Sequence, residues 1–219
     1  MKQAPPARRR YAKTTERRSA IAKAALELVL EKGHRALTTA EVALRASMSE
    51  TAMLYHFPTR DHILVAAMEL ADQERRSVLT GEFTASEAKG NKWPPPGIAR
   101  ITQEQEATIR LFLALGAEAV NPEHPAHAYL KDHNERAVHE FAAGVKQRQV
   151  DGTAIPGLDP YAVARQMLAV WSGLRSQWLI NPSFSLDLEV AQAFRALNGQ
   201  PLMEAKRQID EVLSQNSPL

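Results

Sequence analysis

The stretch that most constrains the fold is residues 38–60, which contains two short helical patterns separated by a turn. Thr38 is followed three residues later by Glu41, and this spacing predicts a capping box at the start of the first helix. Ser49 is a suitable N-cap for a second short helix that ends near His56. Two short helices joined by a tight turn are typical of a helix-turn-helix, whose second helix enters the major groove of DNA. A pair of short helices with no such role, in an all-α domain, is the alternative.

The positive charge of the chain is concentrated near its N-terminus. The formal net charge is +2, but residues 1–23 contain eight Lys and Arg side chains and one Glu, so they carry +7 and the remainder −5. A basic end on an acidic body favours a nucleic-acid partner for that end. Residues 1–14 include two prolines and an arginine triplet without apolar periodicity, so we interpret them as a flexible basic arm. A solvated terminus without a partner is the alternative.

Apolar residues recur at helical spacing through most of the chain after this arm. Ile21, Ala25, Leu28 and Val29 form one such stripe, which Gly33 is suited to terminate. This helix and the two short helices predict a three-helix head in residues 15–60, hereafter "the head".

The remaining sequence, residues 61–219, is also predicted to be helical. Turn-forming residues separate its helices, of which 159–180 and 185–198 have pronounced apolar stripes, and no alternating strand pattern of any length is present. The fold class is therefore all-α, and residues 61–219 are expected to form a helical domain.

Several classes of function lack their sequence signals. The absence of cysteine excludes disulfides, thiolate zinc sites and cysteine nucleophiles. No Gly-rich phosphate loop, HExxH or G-x-S-x-G motif occurs, so we expect no enzyme and no cofactor. His127, His133 and His139 are six residues apart and do not share a helix face, which argues against a metal site. No apolar run approaches the ~20 residues of a membrane span, so no membrane partner is expected, and the absence of cysteine fits the reducing cytoplasm, where we expect the protein.

With these patterns in view, residues 16–66 resemble the DNA-binding head of TetR-family transcriptional regulators. Residues 121–126, the loop 152–160 and the segment 171–174 resemble ligand-binding domains of the same family. The resemblance implies that residues 61–219 are a helical ligand-binding and dimerisation domain. It also implies a homodimeric regulator that binds double-stranded DNA, most simply a repressor that a small-molecule effector releases from a palindromic operator. An all-α small-molecule carrier whose head does not act on DNA is the alternative.

The resemblance also assigns roles within the head. Thr38 opens the first reading helix, and Thr39 and Arg60 occupy positions that contact phosphates. Three positions depart from the family pattern: Ser47 replaces the turn glycine, Glu50 replaces an early Lys or Arg of the recognition helix, and Leu54 replaces a tyrosine. The candidate DNA-binding residues are Arg8, Arg9, Arg10, Thr38, Thr39, Ser49, Glu50, Thr51, Ala52, Tyr55, His56 and Arg60.

Two further sets of candidates lie in residues 61–219. Aromatic side chains and one arginine could line an apolar effector cavity of the kind the resemblance implies, with the arginine orienting the effector. Apolar stripes of the paired helices 159–180 and 185–198 could form a four-helix bundle with a second copy. The effector candidates are Trp93, Phe112, Phe141, Trp171, Arg175 and Trp178, and the dimer candidates are Val163, Met167, Val170 and Leu174.

Overall fold

The computed structural model describes residues 6–88 and 103–215, with side chains described for residues 13–77 and 105–212. Within these residues all regular structure is helical, which confirms the predicted all-α fold class. A short 3₁₀ helix, His34–Ala36, follows the first α-helix. The α-helices are α1 Pro6–Lys32, α2 Thr39–Arg45, α3 Glu50–His56, α4 Arg60–Ala88, α5 Gln103–Glu118, α6 Ala126–Val150, α7 Pro160–Ile180, α8 Leu186–Leu197 and α9 Gln200–Gln215.

The first helix begins earlier than the sequence pattern suggested. Helix α1 starts at Pro6, so residues 6–14 are helical where a flexible arm was expected. Proline is well suited to the first position of a helix, and the Ala, Arg and Lys residues that follow have high helix propensity. The arginine triplet therefore continues a helix instead of interrupting it. Residues 1–5 of the predicted arm lie outside the described residues.

The chain forms two compact units, and the division between them lies elsewhere than at residue 60. The first unit comprises residues 1–81 and 101–130, and the second comprises residues 82–100 and 131–219. Helix α5 and most of α4 therefore belong to the same unit as the head. Such grouping is expected because α2 and α3 have seven residues each and are too short to be stable without packing against longer helices.

The core of the first unit is mainly apolar, and the buried Asp72 of this unit accepts a hydrogen bond from the Tyr129 hydroxyl at 2.6 Å. Each short helix of the head contributes its inward face to this core, and α1 contributes the stripe that its sequence predicted. Among the fully buried side chains are Ile21, Val29, Val42, Met53, Ile63, Leu64, Met68 and Leu111.

The second unit is organised around α7 and α8, whose observed bounds lie within one residue of the predicted ones. Asp159 caps α7 by accepting a hydrogen bond from the backbone N–H of Tyr161, and Pro160 occupies the first position of that helix. The side chains buried on the two helices are Val163, Ala164, Met167, Trp171, Leu186, Val190 and Phe194.

Candidate nucleic-acid interface

A hydrogen-bond network fixes the start of α2, and it confirms the predicted capping box. The Thr38 hydroxyl accepts from the backbone N–H of Glu41 at 3.3 Å, and the Thr38 N–H donates to Glu41 Oε2 at 3.2 Å. The Thr38 hydroxyl also donates to Glu41 Oε2. Lys32 forms an ion pair with Oε1 of the same carboxylate. The hydrogen bond from Lys32, followed by that from Thr38, lowers the pKa of Glu41 from 4.5 to about 2.

The neighbouring threonine is also engaged within the protein. The Thr39 hydroxyl donates to Oε1 of Glu50, the first residue of α3. A hydroxyl has a single hydrogen to donate, so in this geometry neither Thr38 nor Thr39 has one left for a phosphate oxygen. This differs from the phosphate-contacting role that the resemblance implied for Thr39.

The turn between α2 and α3 has the conformation that a glycine favours. Ser47 adopts a φ of 55°, in the left-handed region, and the backbone N–H of Met48 closes the turn on the Ala43 carbonyl at 3.0 Å. The Ser49 side chain then caps α3 by accepting from the Ala52 N–H at 3.2 Å. The turn that the family builds with glycine is therefore present with serine, at the cost of local backbone strain.

Helix α3 presents one face to the core and the other to solvent. Met53 is buried on this helix, as is Phe57, which follows its end. The opposite face exposes Glu50, Thr51, Ala52 and Tyr55, of which Tyr55 is 83% exposed. The half-buried His56 contacts the Tyr55 ring edge-on, with 5.5 Å between the ring centroids. The structure therefore gathers the predicted base-reading residues on one accessible surface.

Arg60, for which a phosphate contact is predicted, makes hydrogen bonds to the protein's own backbone. Its Nε donates to the Leu37 carbonyl at 2.9 Å, and its Nη2 donates to the carbonyls of His34 and of Arg35, the latter at 3.3 Å. Arg60 therefore ties the first residue of α4 to the segment that precedes α2. The burial of His34, with the nearby charges of Arg35 and Arg60, lowers the pKa of the His34 imidazole.

Two arginines that the sequence analysis did not select have defined positions in the head. Arg18 donates through Nη1 to the His56 carbonyl at 2.7 Å, and its guanidinium carbon lies 4.1 Å from the centroid of the Phe57 ring, so it holds α1 against the end of α3. Arg35 has an exposed side chain three residues before Thr38. The exposed Lys13 and Arg17 add positive charge on α1, whereas Arg8, Arg9 and Arg10 are located only by the helical backbone. No local sequence pattern marks Arg18, because its partners are 38 and 39 residues away.

The candidate effector residues whose positions are described are divided between the two units. In the second unit, the Phe194 ring lies 5.8 Å from that of Phe141 and 6.4 Å from that of Trp171, centroid to centroid. The Arg175 guanidinium carbon lies 4.9 Å from the centroid of the Trp171 ring. Phe194 is not among the residues predicted from the sequence, although Leu186, Val190 and Phe194 fall at i, i+4 and i+8 and so indicate a buried face.

The other effector candidates have separate surroundings. Trp178 is partly buried on α7. Phe112 belongs to the first unit, where it is partly buried against the apolar core. Trp93 lies outside the described residues.

The dimer candidates on α7 divide into two groups. Val163 and Met167 are buried within a single chain, and the Met167 sulfur lies 4.0 Å from Nδ2 of Asn198. Val170 and Leu174 are only partly buried. The apolar stripe that suggested a surface for a second copy is thus partly occupied by α8 of the same chain, which corrects the prediction for Val163 and Met167.

His124, which precedes α6, and two histidines of α6 each have different neighbours. His127 Nδ1 lies 2.8 Å from the Ala119 carbonyl oxygen, His139 Nδ1 lies 2.8 Å from the Glu135 carbonyl oxygen, and His124 Nε2 lies 3.8 Å from Asp61. Among the residues whose positions are described, no group of three His, Asp or Glu side chains is arranged to hold a metal ion. None of the described helices combines the length and apolarity needed to cross a membrane.

A capped pair of short helices packed on an apolar core, followed by a second unit whose described regular structure is helical, is typical of a helix-turn-helix transcriptional regulator. Family models support this class over most of the chain. Residues 21–70 match the model for bacterial regulatory proteins of the tetR family, and residues 98–200 match that for the C-terminal part of BetI-type transcriptional repressors. The chain belongs to the TetR family. Members of this family are DNA-binding regulators and not enzymes.

Individual relatives agree with this assignment. The chain is 25% identical over 177 residues to the HTH-type transcriptional repressor KstR of Rhodococcus jostii (strain RHA1), an alignment covering 79% of this chain and 77% of that protein. It superimposes on a TetR-family regulator from Rhodococcus sp. with a TM-score of 0.61 and 26% identity, over 85% of this chain and 98% of the other. A transcriptional regulator from Saccharomonospora viridis, solved with choline, shares the fold with a TM-score of 0.59 and 20% identity, over 82% of this chain and 94% of that one.

Proposed function

We propose that this protein is a homodimeric transcriptional repressor that binds a palindromic operator and leaves it when a small amphipathic molecule binds to its second unit. The observation that carries the proposal is the exposed face of α3. Glu50, Thr51, Ala52 and Tyr55 face solvent, while Met53 on the same helix is buried. The cap at Ser49 and the contacts of Arg18 hold the helix at both ends, which suits direct readout of base edges in a major groove.

Phosphate contacts are proposed for exposed basic residues around α3. Arg35 beside the start of α2, together with Lys13 and Arg17 on α1, supplies positive charge that is not tied to the protein's own carbonyls by any of the hydrogen bonds described above. Arg8, Arg9 and Arg10 extend the same charged helix toward its start. Phosphate contacts of this kind contribute affinity without sequence preference and make binding depend on salt.

A homodimer is proposed through the outer surfaces of α7 and α8. Ile180, at the end of α7, is 83% exposed and Leu188 on α8 is 59% exposed. Val170 and Leu174 are partly exposed on the same pair of helices. Covering this apolar surface with a second copy would produce a four-helix bundle. A two-fold dimer places two heads on half-sites about one turn of DNA apart.

The effector is proposed to bind near the aromatic cluster of the second unit. Trp171 and Phe194 are buried aromatic side chains, and Arg175, whose guanidinium lies beside the Trp171 ring, supplies a cation that favours an anionic or hydrogen-bond-accepting group on the effector. Such a molecule changes DNA affinity only if it binds better to the conformation that does not fit the operator.

DNA binding is tested by selecting duplexes from a random-sequence library with the wild-type protein. The selected duplex is then titrated with Tyr55→Ala and with Val120→Ala, whose side chains are 83% and 81% exposed in the wild type. We expect a palindromic consensus, and we expect Tyr55→Ala to weaken binding at least about tenfold, as loss of a major-groove contact does. Val120→Ala should bind like wild type. Failure to enrich any sequence would overturn the proposed function.

The dimer is tested by light scattering on two glutamate variants of α7. Ile180→Glu places a charge on the exposed surface and should yield folded monomers. Met167→Glu places a charge where a single chain already excludes water, so it should lower thermal stability strongly instead of producing a folded monomer. A wild-type monomer at micromolar concentration would contradict the proposed homodimer. A dimeric Ile180→Glu variant would show that the dimer interface does not include Ile180.

A further inference from the structure

We infer that Thr39 and Glu50 form a specificity element in which Thr39 positions the Glu50 carboxylate to accept a hydrogen bond from the N4 amino group of a cytosine. The inference rests on the proposed DNA binding and assigns the chemistry of one base contact. It is carried by the hydrogen bond from the Thr39 hydroxyl to Glu50 Oε1, which joins the first residue of α2 to the first residue of α3.

Glu50 differs from the other carboxylates held by hydrogen bonds in the head. Glu41 is paired with Lys32, and Glu31 with Arg45, whose Nη2 lies 2.8 Å from Oε2. Each of these negative charges is offset by a cation. Glu50 is held by a neutral hydroxyl, so its negative charge remains on the exposed surface of the reading helix.

An uncompensated carboxylate on this surface repels the phosphates of any duplex. Such a charge is tolerated on a DNA-reading face when it accepts a hydrogen bond from a base edge. Thr39 occupies one lone pair of Oε1, which leaves the second lone pair of that atom and both of Oε2 as acceptors. The hydrogen bond also restrains a side chain that would otherwise lose rotamer entropy on binding.

The choice of base follows from the major-groove pattern. Cytosine presents an N4 amino donor there, whereas guanine presents the N7 and O6 acceptors and thymine presents O4 and a methyl group. Adenine has an N6 donor, but its neighbouring N7 acceptor repels a carboxylate. Glu50 should therefore select cytosine at one position of each half-site, with adenine as the least disfavoured alternative.

Thr39 is a positioning residue in this scheme, because it acts through Glu50. A phosphate-contacting Thr39 would contribute equally to binding of every sequence. A Thr39 that orients Glu50 would instead contribute to discrimination at a single base position. The two roles therefore predict different outcomes for the same variant.

The test is a double-mutant cycle on the selected duplex and its three single-base variants at each half-site position. Wild type should favour cytosine at one position by about tenfold. Glu50→Ala should abolish that preference, and Thr39→Val, which keeps the shape of the side chain but removes the hydroxyl, should reduce it severalfold. In the Glu50→Ala background, Thr39→Val should leave the base preference unchanged. Thr39→Ser restores the hydroxyl and should restore the preference.

Thermal melting of each variant separates this role from a structural one. Glu50 lies in the first turn of α3, where a negative charge stabilises the helix dipole, so a purely structural pair would lower the melting temperature and weaken all duplexes alike. That outcome, or a uniform loss of affinity in Thr39→Val, would overturn the inference while leaving DNA binding intact. Wild-type protein that selects no sequence would instead overturn the proposed function.

Discussion

The head and the second unit differ in where they place their polar groups. The buried side chains of the head are all apolar, and most of its hydrogen bonds and ion pairs are exposed, whereas those from Arg60 to the carbonyls of Leu37 and His34 are partly buried. The second unit buries Arg148, Asn198 and Gln200, and Arg148 Nη1 donates to Gln200 Oε1 at 3.2 Å. Burial lowers the pKa of the Arg148 guanidinium. The head therefore combines an apolar core with mostly exposed polar contacts, whereas the second unit also buries polar contacts inside its core.

This difference has a consequence for how each region responds to mutation. The capping contacts of the head join residues three apart in the chain, as in Thr38–Glu41 and Ser49–Ala52. Two polar contacts of the second unit join distant segments: the Ile155 N–H donates to the Asn198 carbonyl at 3.0 Å, and Arg148 and Gln200 are 52 residues apart. Removing a cap should therefore destabilise one helix by a modest amount. A substitution at the α8–α9 junction should instead destabilise several segments together.

The largest effect is expected for Gly199→Ala at that junction. Gly199 has a φ of +66°, and a Cβ there would lie 2.3 Å from Cδ1 of Ile155. The left-handed backbone costs about 1–2 kcal/mol for alanine, and the clash adds about 1–3 kcal/mol. We expect a total loss of about 2–5 kcal/mol in the free energy of unfolding, measured by chemical denaturation.

Gly152→Ala is the matched control for this substitution. Gly152 has a φ of +67°, but nothing lies within 4 Å of the position that a Cβ would take there, so only the backbone cost applies. Its loss should be about 1–2 kcal/mol. Equal losses in the two variants would show that Ile155 moves aside, and that the packing of the junction is looser than the contact distances indicate. Gly199→Ala should raise the hydrogen-exchange rates of residues near 155 and 199 and leave the exchange rates of the head unchanged.

Thr38→Ala tests the head with a smaller perturbation. The substitution removes the hydroxyl that caps α2, and loss of an N-cap costs about 1 kcal/mol. Thr38→Ser keeps the hydroxyl and should differ from wild type by only a few tenths of a kcal/mol, roughly the difference between these residues as caps. Hydrogen exchange should rise in α2 for the alanine variant. An equal rise of hydrogen exchange in the second unit would show that the cap of α2 does not act locally.

The smallest expected effect on stability is the pH dependence that the Glu41 carboxylate contributes to the cap of α2. The pKa of Glu41 is lowered from 4.5 to about 2, so its carboxylate contributes stability that is complete above about pH 4.5 and is lost as the pH falls toward 2. The melting temperature of wild type should therefore exceed that of Glu41→Gln most at about pH 5, and the difference should shrink as the pH approaches 2. Lys32→Met removes the first cause of the lowered pKa and should move the loss to higher pH. A difference between wild type and Glu41→Gln that does not change with pH would refute this assignment.

Much of the local structure was predictable from short-range sequence patterns. The capping box at Thr38, the cap at Ser49 and the bounds of α7 and α8 follow from interactions between residues no more than a few positions apart. The apolar stripe of α1 likewise identified its buried face. The same patterns misplaced the start of α1, because an arginine-rich segment with few apolar residues shows no stripe even where it is helical.

The partners of long side chains were not predictable in this way. Arg60 has the sequence position of a phosphate contact, yet its guanidinium reaches the carbonyls of the segment before α2. Thr39 is bound to Glu50, and Met167 is covered by residues of its own chain. Each result depends on which elements lie next to each other, and not on the residue's own neighbours in the sequence.

The sequence by itself therefore determined the family, the all-α class, the bounds of α7 and α8 and the caps of the reading helices, because helix capping and periodicity act within one or two turns. The tertiary structure alone decided which polar groups remain free to meet DNA and which apolar faces remain free to meet a second copy. The physical reason is that a hydrogen bond or a buried contact satisfies a group only once, and packing between distant segments decides which partner it takes.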